Sequence, residues 1–422
     1  MRNRVVLIFL AVVLVVSMVA FAACKAEEAP PVVEEEAPPV VEEEEPPPVE
    51  PPWEWPEKLA VASQGPATPG YPIDIAWTTP LAEDTGMKVR LITEEDLLIS
   101  FTWLKQGLLD LGFADMGATL VPAGLGRFAT RDLGPCQTRI FWPHGRGGRG
   151  FAVRGDSGIK TPYDIKPGMK IIYHSEVLTG PLGRMWVAAL LAWAQVDPED
   201  VEWVEAASIP ATFELLKAGR GDVVVGWPSS PPWVELEASP HGLAWIELNA
   251  EEDPEGAARL FEVDPSACFG VMTKGCPSAI GVRMLVTIPS MVVWADKDPE
   301  LIYHLVKWLD ENHDLYKDGH PYCADMTLDA LMELAEKEFV PLHDGTVKYL
   351  EEKGLWTPAH EARRQQNIEL LNRYEQAYAE ALDMADEQGI TVDPTNEEWL
   401  ELWENYKKEL NLPGFKLFVT FP

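Results

Sequence analysis

The chain is short of bases. Thirty-four lysines and arginines face 68 aspartates and glutamates in 422 residues, a formal net charge of −34. That surplus sets nucleic acid and anionic membrane surfaces aside as partners, since both carry the same sign. Catalytic signatures are wanting too. No Walker loop, His-Glu-x-x-His or Gly-x-Ser-x-Gly occurs, and the eight histidines are scattered. His313, His320 and Cys323 share one stretch without metal-ligand spacing, and acid pairs such as Glu351-Glu352 belong to solvated helix faces. No residue set calls for an enzyme, a cofactor or a metal. The pattern speaks for capture rather than chemistry.

Cysteine is scarce as well, with five in the chain. The first closes an export signal: Arg2 and Arg4, the apolar run Val5 to Ala20, then Phe21-Ala22-Ala23-Cys24. Small residues directly before Cys24 resemble a bacterial lipobox, which makes residues 1–24 a lipoprotein signal peptide and Cys24 the acylated start of the mature chain. A plain signal peptide or an anchor helix are the other readings of this run. Residues 25–57 follow as a Glu/Pro-rich tether with ten glutamates and no base between Glu27 and Glu50. Such a stretch cannot form a core, and its like charges hold it extended, with a reach of roughly 90 Å if fully polyproline-like. The four remaining cysteines are Cys136, Cys268, Cys276 and Cys323. An exported chain permits disulfides, and Cys268 with Cys276 is the first choice by proximity, against buried free thiols.

Beyond the tether the pattern alternates strands and helices, the mark of a parallel α/β sheet. Strands are expected at Leu59 to Ala62, Lys88 to Ile92 and Leu111 to Ala114, with helices ending near Thr85 and Gln106. Two stretches echo one another. Lys105-Gln-Gly-Leu-Leu-Asp-Leu-Gly-Phe-Ala114 and Lys217-Ala-Gly-Arg-Gly-Asp-Val-Val-Val-Gly226 each read as a helix end, a glycine cap, then Asp entering a buried strand. Two copies of one unit suggest two lobes of like design. Between them, residues 122–149 carry Arg139, His144, Arg146 and Arg149, a basic island that faces solvent, a partner or an anionic ligand group. Later, Asp298-Pro299 opens a helix expected to reach Tyr316. Near the C-terminus Thr395-Asn-Glu-Glu398 reads as a capping box, ahead of an apolar stripe of Trp399, Trp403, Tyr406 and Leu410 that should pack on the first lobe.

The stretch Val153-Arg-Gly-Asp-Ser-Gly-Ile-Lys-Thr-Pro-Tyr-Asp-Ile-Lys-Pro-Gly-Met-Lys-Ile171 and the phrase Pro341-Leu-His-Asp-Gly-Thr-Val-Lys-Tyr349 resemble the TAXI-type solute receptors of TRAP transporters. The resemblance covers about Leu59 to Trp356. It implies an α/β, two-lobed periplasmic-binding-protein-like (type II) fold with a hinge, to which this chain adds a helical C-terminal extension. The boundaries that follow are 58–148 for the first part of lobe 1, 149–248 for lobe 2, 249–358 for the return to lobe 1, and 359–422 for the extension. It also implies an extracytoplasmic receptor that closes on a small-molecule solute and hands it to sodium-driven TRAP-type permease subunits. A binding component of an ATP-driven importer shares the lobe design, and an anchored surface enzyme or adhesin is the rival from another class.

In such a fold the ligand meets residues at the carboxyl ends of strands. Those positions here are Ser63, Gln64 and Tyr71; Glu94, Glu95 and Asp96; Thr119; Thr179 and Arg184; Trp227 and Ser229. Relatives commonly carry a Thr-Gly-Gly-Ser-like turn where this chain has Thr93-Glu94-Glu95-Asp96. A carboxylate about 6 Å from an anionic ligand costs roughly 3 kcal/mol at an effective dielectric near 20, more than a helix terminus returns. The expectation is therefore an amino-acid-like solute with a cationic or hydrogen-bond-donating group at Glu94 and Glu95. Tyr71 and Trp227 would be its apolar walls, and its acidic end would lie toward Arg184.

Overall fold

The echoed joints turn out to be the same piece of structure built twice. In a computed structural model, which describes residues 53–93, 97–114, 123–174, 182–264 and 267–413, strand β1 (Lys58–Ser63) precedes helix α1 (Gly70–Thr85), β2 (Lys88–Thr93), α2 (Leu97–Lys105) and β3 (Gly112–Ala114). Gly107 turns the chain out of α2 with φ +69°. Asp110 then clamps β1, its carboxylate accepting from the Ala60 N–H at 2.7 Å while its own N–H donates to the Ala60 carbonyl at 2.8 Å. The second copy runs from β6 (Lys170–His174) through α3 (Leu182–Ala194), β7 (Glu202–Ala206) and α4 (Ile209–Lys217) to β8 (Val223–Gly226). Gly219 has φ +65°, and Asp222 exchanges the same two bonds with Lys170, both at 2.7 Å. Glycine takes the left-handed turn at no steric cost, and the carboxylate satisfies a strand-end N–H that the ladder leaves open.

The strands form three sheets, two in lobe 1 and one in lobe 2. In lobe 1, β1 pairs parallel with β2 and bridges to Leu111 beside β3, and β12 (Ser290–Trp294) runs between β3 and β4 (Thr138–Pro143). Lobe 2 is a seven-stranded sheet in the order β10 (Phe269–Val271), β11 (Arg283–Thr287), β5 (Gly147–Arg154), β8, β6, β7, with β9 (Leu243–Trp245) also on β5. Its core packs the buried face of α3, with Trp186, Leu190 and Trp193, against Phe151, Ile171, Val223 and Val225. Lobe 2 thus reaches Thr287, not residue 248. Strand β11 pairs antiparallel with β5 and β10 pairs antiparallel with β11, so the chain returns to lobe 1 at β12.

The return begins with β12 and helix α7 (Pro299–Glu311), after α5 (Pro231–Glu237) and α6 (Pro254–Val263) of lobe 2. Helix α7 ends before Tyr316, because a tight turn at His313–Leu315 takes over. His313 Nε2 donates to the Cys323 carbonyl, 2.8 Å away, and His320 accepts from the Tyr322 N–H, so this histidine group is locally engaged. Helices α8 (Leu328–Lys337) and α9 (Asp344–Glu352) follow, the latter capped by His343. The extension is helical: α10 (Pro358–Gln388) and α11 (Glu397–Glu409). Its cap is Asn396 rather than Thr395, whose hydroxyl turns to Asp393. Trp399 and Trp403 are buried and donate to the Ala129 and Ala123 carbonyls at 2.9 and 3.2 Å, so the stripe packs on the segment leading into β4. Tyr406 bonds Glu380, and Leu410 is left exposed.

No bridge joins Cys268 to Cys276; both are free and buried, as are Cys136 and Cys323. Cys268 sits at the start of β10 near Glu333 and Lys337, while Cys276 follows the β10 turn toward Ser278 and Trp245. The extended strand between them sends the two thiols into separate surroundings. Cys24, the tether up to residue 52 and residues 414–422 lie outside the described residues.

Candidate functional site

Two segments cross between the lobes: residues 144–146 from β4 to β5, and Ile288-Pro289 from β11 to β12. They are tied to each other, the His144 N–H donating to the Pro289 carbonyl at 2.7 Å. The first crossing lies in Gly145-Arg-Gly-Gly-Arg-Gly150, whose spacing matches a dinucleotide fingerprint. Here it leads from strand to strand with no helix start to receive a pyrophosphate, so the glycines serve another purpose. Gly145 has φ +90°, and a Cβ there would lie 2.5 Å from the Tyr322 carbonyl oxygen. A Cβ at Gly147 would meet the Tyr322 ring at the same distance. The crossing is glycine-rich because the Tyr322 loop is pressed onto it.

Beside these crossings a cavity of about 60 Å³ opens between the lobes. Lobe 1 contributes Gln64, Gly70, Ile73 and Phe113; lobe 2 contributes Arg149, Ile209 and Trp227; the crossings contribute His144 and Pro289.

On the lobe 1 side the organiser is Asp74, buried in α1. Its carboxylate accepts from Ser63 Oγ at 2.7 Å and Trp77 Nε1 at 3.3 Å, and it holds His144 Nε2 at 2.7 Å. Three partners make the buried carboxylate affordable in energetic terms, and they fix the imidazole of the first crossing. On the lobe 2 side Arg149 is 2% exposed and pairs with Asp264, itself buried. The guanidinium lies 5.0 Å from the ring centroid of Trp186. Trp186 meets Trp227 edge-on at 5.8 Å, and Trp227 is stacked on His174 at 5.6 Å with 24° between the planes. Burial pushes the His174 imidazole down to about 4, and neither ring nitrogen has a partner among the described residues.

Of the positions expected from sequence, Gln64 and Trp227 line the cavity. Ser63 stands behind it, bonded to Asp74. Tyr71 is half-buried and is not among the described residues that line it, whereas Gly70 and Ile73 on the same helix are. Ser229 is tucked away, its Oγ buried and without a partner among the described residues. Arg184 is exposed and lies 4.5 Å over the Trp203 ring and 5.9 Å from that of Tyr173, so it does not line the cavity. Glu94, Glu95, Asp96, Thr119 and Thr179 lie outside the described residues. His144, Arg149, Phe113, Ile209 and Tyr322 were not among the expected site residues. The basic island at 139–149 was the available signal for two of them, yet Arg139, His144 and Arg149 are buried rather than solvated.

Solved structures of similar outline include an ancestral arginine-binding protein bound to arginine (16% identity, 63% of this chain and 96% of that one, TM-score 0.39). Others are the periplasmic aliphatic sulphonate binding protein SsuA from Escherichia coli (12%, 86% and 96%, 0.39) and the GluR0 ligand binding core with L-glutamate (11%, 63% and 97%, 0.37). These likenesses are too loose to bear on site or ligand. No curated protein matches the chain. A family model does match, over residues 77–354, a span that takes in both lobes and both crossings. With its two lobes, two crossings and interlobe cavity, the chain belongs to the NMT1-like family.

Proposed function

We propose that this protein is an extracytoplasmic receptor that captures a small organic solute between its lobes and delivers it to a membrane permease. One observation carries the reading: the cavity takes its wall from both lobes and from the two crossings that join them. A solute there touches both sides at once, so binding favours the closed arrangement by the difference in contacts it makes in the two states. The chemistry of the wall fits binding, since Asp74–His144 and Arg149–Asp264 are already paired and offer no aligned nucleophile and base.

The acylated Cys24 would hold the receptor at the membrane and the Glu/Pro tether would let it range from its anchor. The permease is proposed to be of the TRAP type, on the strength of the phrases around Val153–Ile171 and Pro341–Tyr349. The family match suits an ATP-driven importer equally, and the neighbouring genes decide between the two. The test of capture itself is mass spectrometry of protein purified without added ligand and released by mild denaturation. A stoichiometric small molecule is the expected finding. Turnover of a supplied compound with no retained or tightly bound ligand would favour an anchored enzyme instead.

A further inference from the structure

The stretch from His313 to Asp325, which lacks metal-ligand spacing, has a use of another kind. Its last part, residues 320–325, follows α7 in lobe 1 and is pressed onto the first crossing. The Tyr322 carbonyl meets Gly145, and the Tyr322 ring meets Gly147, where β5 of lobe 2 begins. Tyr322 is 3% exposed and lines the interlobe cavity. The loop is stiffened from within. The Cys323 N–H donates to the His320 carbonyl at 2.9 Å, and the His320 ring stands edge-on to the Tyr322 ring at 5.2 Å. Three residues past the tyrosine, the Asp325 N–H donates to the Tyr322 carbonyl at 3.0 Å. Asp325 is thereby held at a fixed offset from the cavity wall.

Its side chain reaches lobe 2. Asp325 Oδ2 accepts from Lys274 Nζ at 2.5 Å, and Lys274 stands in the turn between β10 and β11. That turn is itself tied to the cavity wall. Gly275, with φ +113°, has no room for a Cβ, which would lie 2.9 Å from the Pro228 carbonyl carbon. The Cys276 N–H donates to the Pro228 carbonyl at 2.9 Å. Pro228 follows Trp227, which lines the cavity from lobe 2. Each half of the ion pair is thus fixed through backbone beside an aromatic cavity residue of its own lobe.

Exposure sets this pair apart from its neighbours. Arg149 and Asp264 are 2% and 1% exposed and both lie in lobe 2, so parting them would strand two buried charges. Lys274 and Asp325 are 26% and 27% exposed. Water can replace their contact, so the pair breaks and reforms readily. The crossings are covalent and keep the lobes joined in every state. We infer that Lys274–Asp325 is a latch between the lobes, made when Tyr322 and Trp227 both face the cavity and released when the lobes part. The inference rests on the receptor reading and adds to it: a made latch keeps part of the population closed before the solute arrives, which strengthens apparent binding.

The test needs no solute. Spin labels at Ile75→Cys of lobe 1 and Ala207→Cys of lobe 2 report the interlobe distance in the whole mature protein, stripped of any retained solute. Both positions are exposed, and each lies two residues from a cavity residue, Ile73 or Ile209. The native thiols at 136, 268, 276 and 323 are buried and react slowly with the label. Lys274→Gln should raise the ratio of long to short distances by about two- to fivefold, the worth of a partly exposed ion pair. Asp325→Asn should do the same. The double variant should do no more than either alone, because the second change finds no partner to remove. Lys170→Gln takes the same charge from an ion pair inside lobe 2 and should leave the ratio as in the parent. An unchanged ratio in the single variants, effects that multiply in the double, or an equal shift in Lys170→Gln would each overturn the latch. None of these touches the receptor reading, which stands or falls with the retained solute and with lobe closure at saturation.

Discussion

Single residues decide more of this molecule than their number suggests, and Glu338 is the plainest case. Its side chain is buried, accepts from the N–H groups of Phe339 and Val340 at 2.9 and 3.4 Å, and has its carboxyl pushed up to about 7 by burial. The folded protein therefore holds a proton there that the unfolded chain gives up above about pH 4.5. The contribution favours the fold below that pH and is lost as the pH rises through 7. In Glu338→Gln nothing titrates. Its stability relative to the parent should improve by about 2–3 kcal/mol between pH 4.5 and 8, read from urea unfolding at both pH values. The buried histidines 174, 320 and 343, whose pKa values burial lowers to about 4, act in the opposite sense but equally in both proteins, so they cancel in the difference. A gap that stays constant with pH would contradict the assignment. Nothing in the local sequence marks Glu338 as buried. His144 and Arg149 were visible as a basic island, but their partners Asp74 and Asp264 lie 70 and 115 residues away, beyond local pattern. Arg184 misled because reading a helix start does not say which way its side chains face.

At the scale of elements, what was legible was what is local. The helix–glycine–aspartate–strand joint occurs twice in sequence and twice in structure, since the left-handed glycine and the strand-clamping carboxylate both act within a few residues. Strands β10 and β11 escaped notice for the converse reason. They are three and five residues long, stand among turns, and exist by antiparallel pairing, β11 with β5 and β10 with β11. The C-terminal stripe shows the limit in finer grain: Trp399 and Trp403 are core, while Leu410 on the same helix face is exposed. Both indoles are anchored by a hydrogen bond to the segment 123–129, so they should hold α10 and α11 on lobe 1. Trp399→Ala should cost about 3–5 kcal/mol, lowering the unfolding temperature by several degrees, as measured by circular dichroism. Loss of under 1 kcal/mol would mean that the extension is a loosely held appendage.

For the molecule as a whole, charge was open to the sequence because it depends on composition, and the export signal and tether remain readings of composition. Two lobes and a hinge were expected from the echo and from the family phrases, and the two lobes joined by two crossings bear the two-lobed fold out. The anchor has its own check. Replacing Cys24 by alanine should abolish fatty-acid labelling and leave an unprocessed or released protein, and unchanged labelling would exclude acylation at that residue. The central claim, capture by closure, rests on the cavity shared between the lobes. Small-angle scattering of the mature receptor, stripped of ligand and then saturated with the solute recovered from it, tests this most directly. Closure predicts a smaller radius of gyration with the solute bound; an unchanged radius at verified saturation would contradict it.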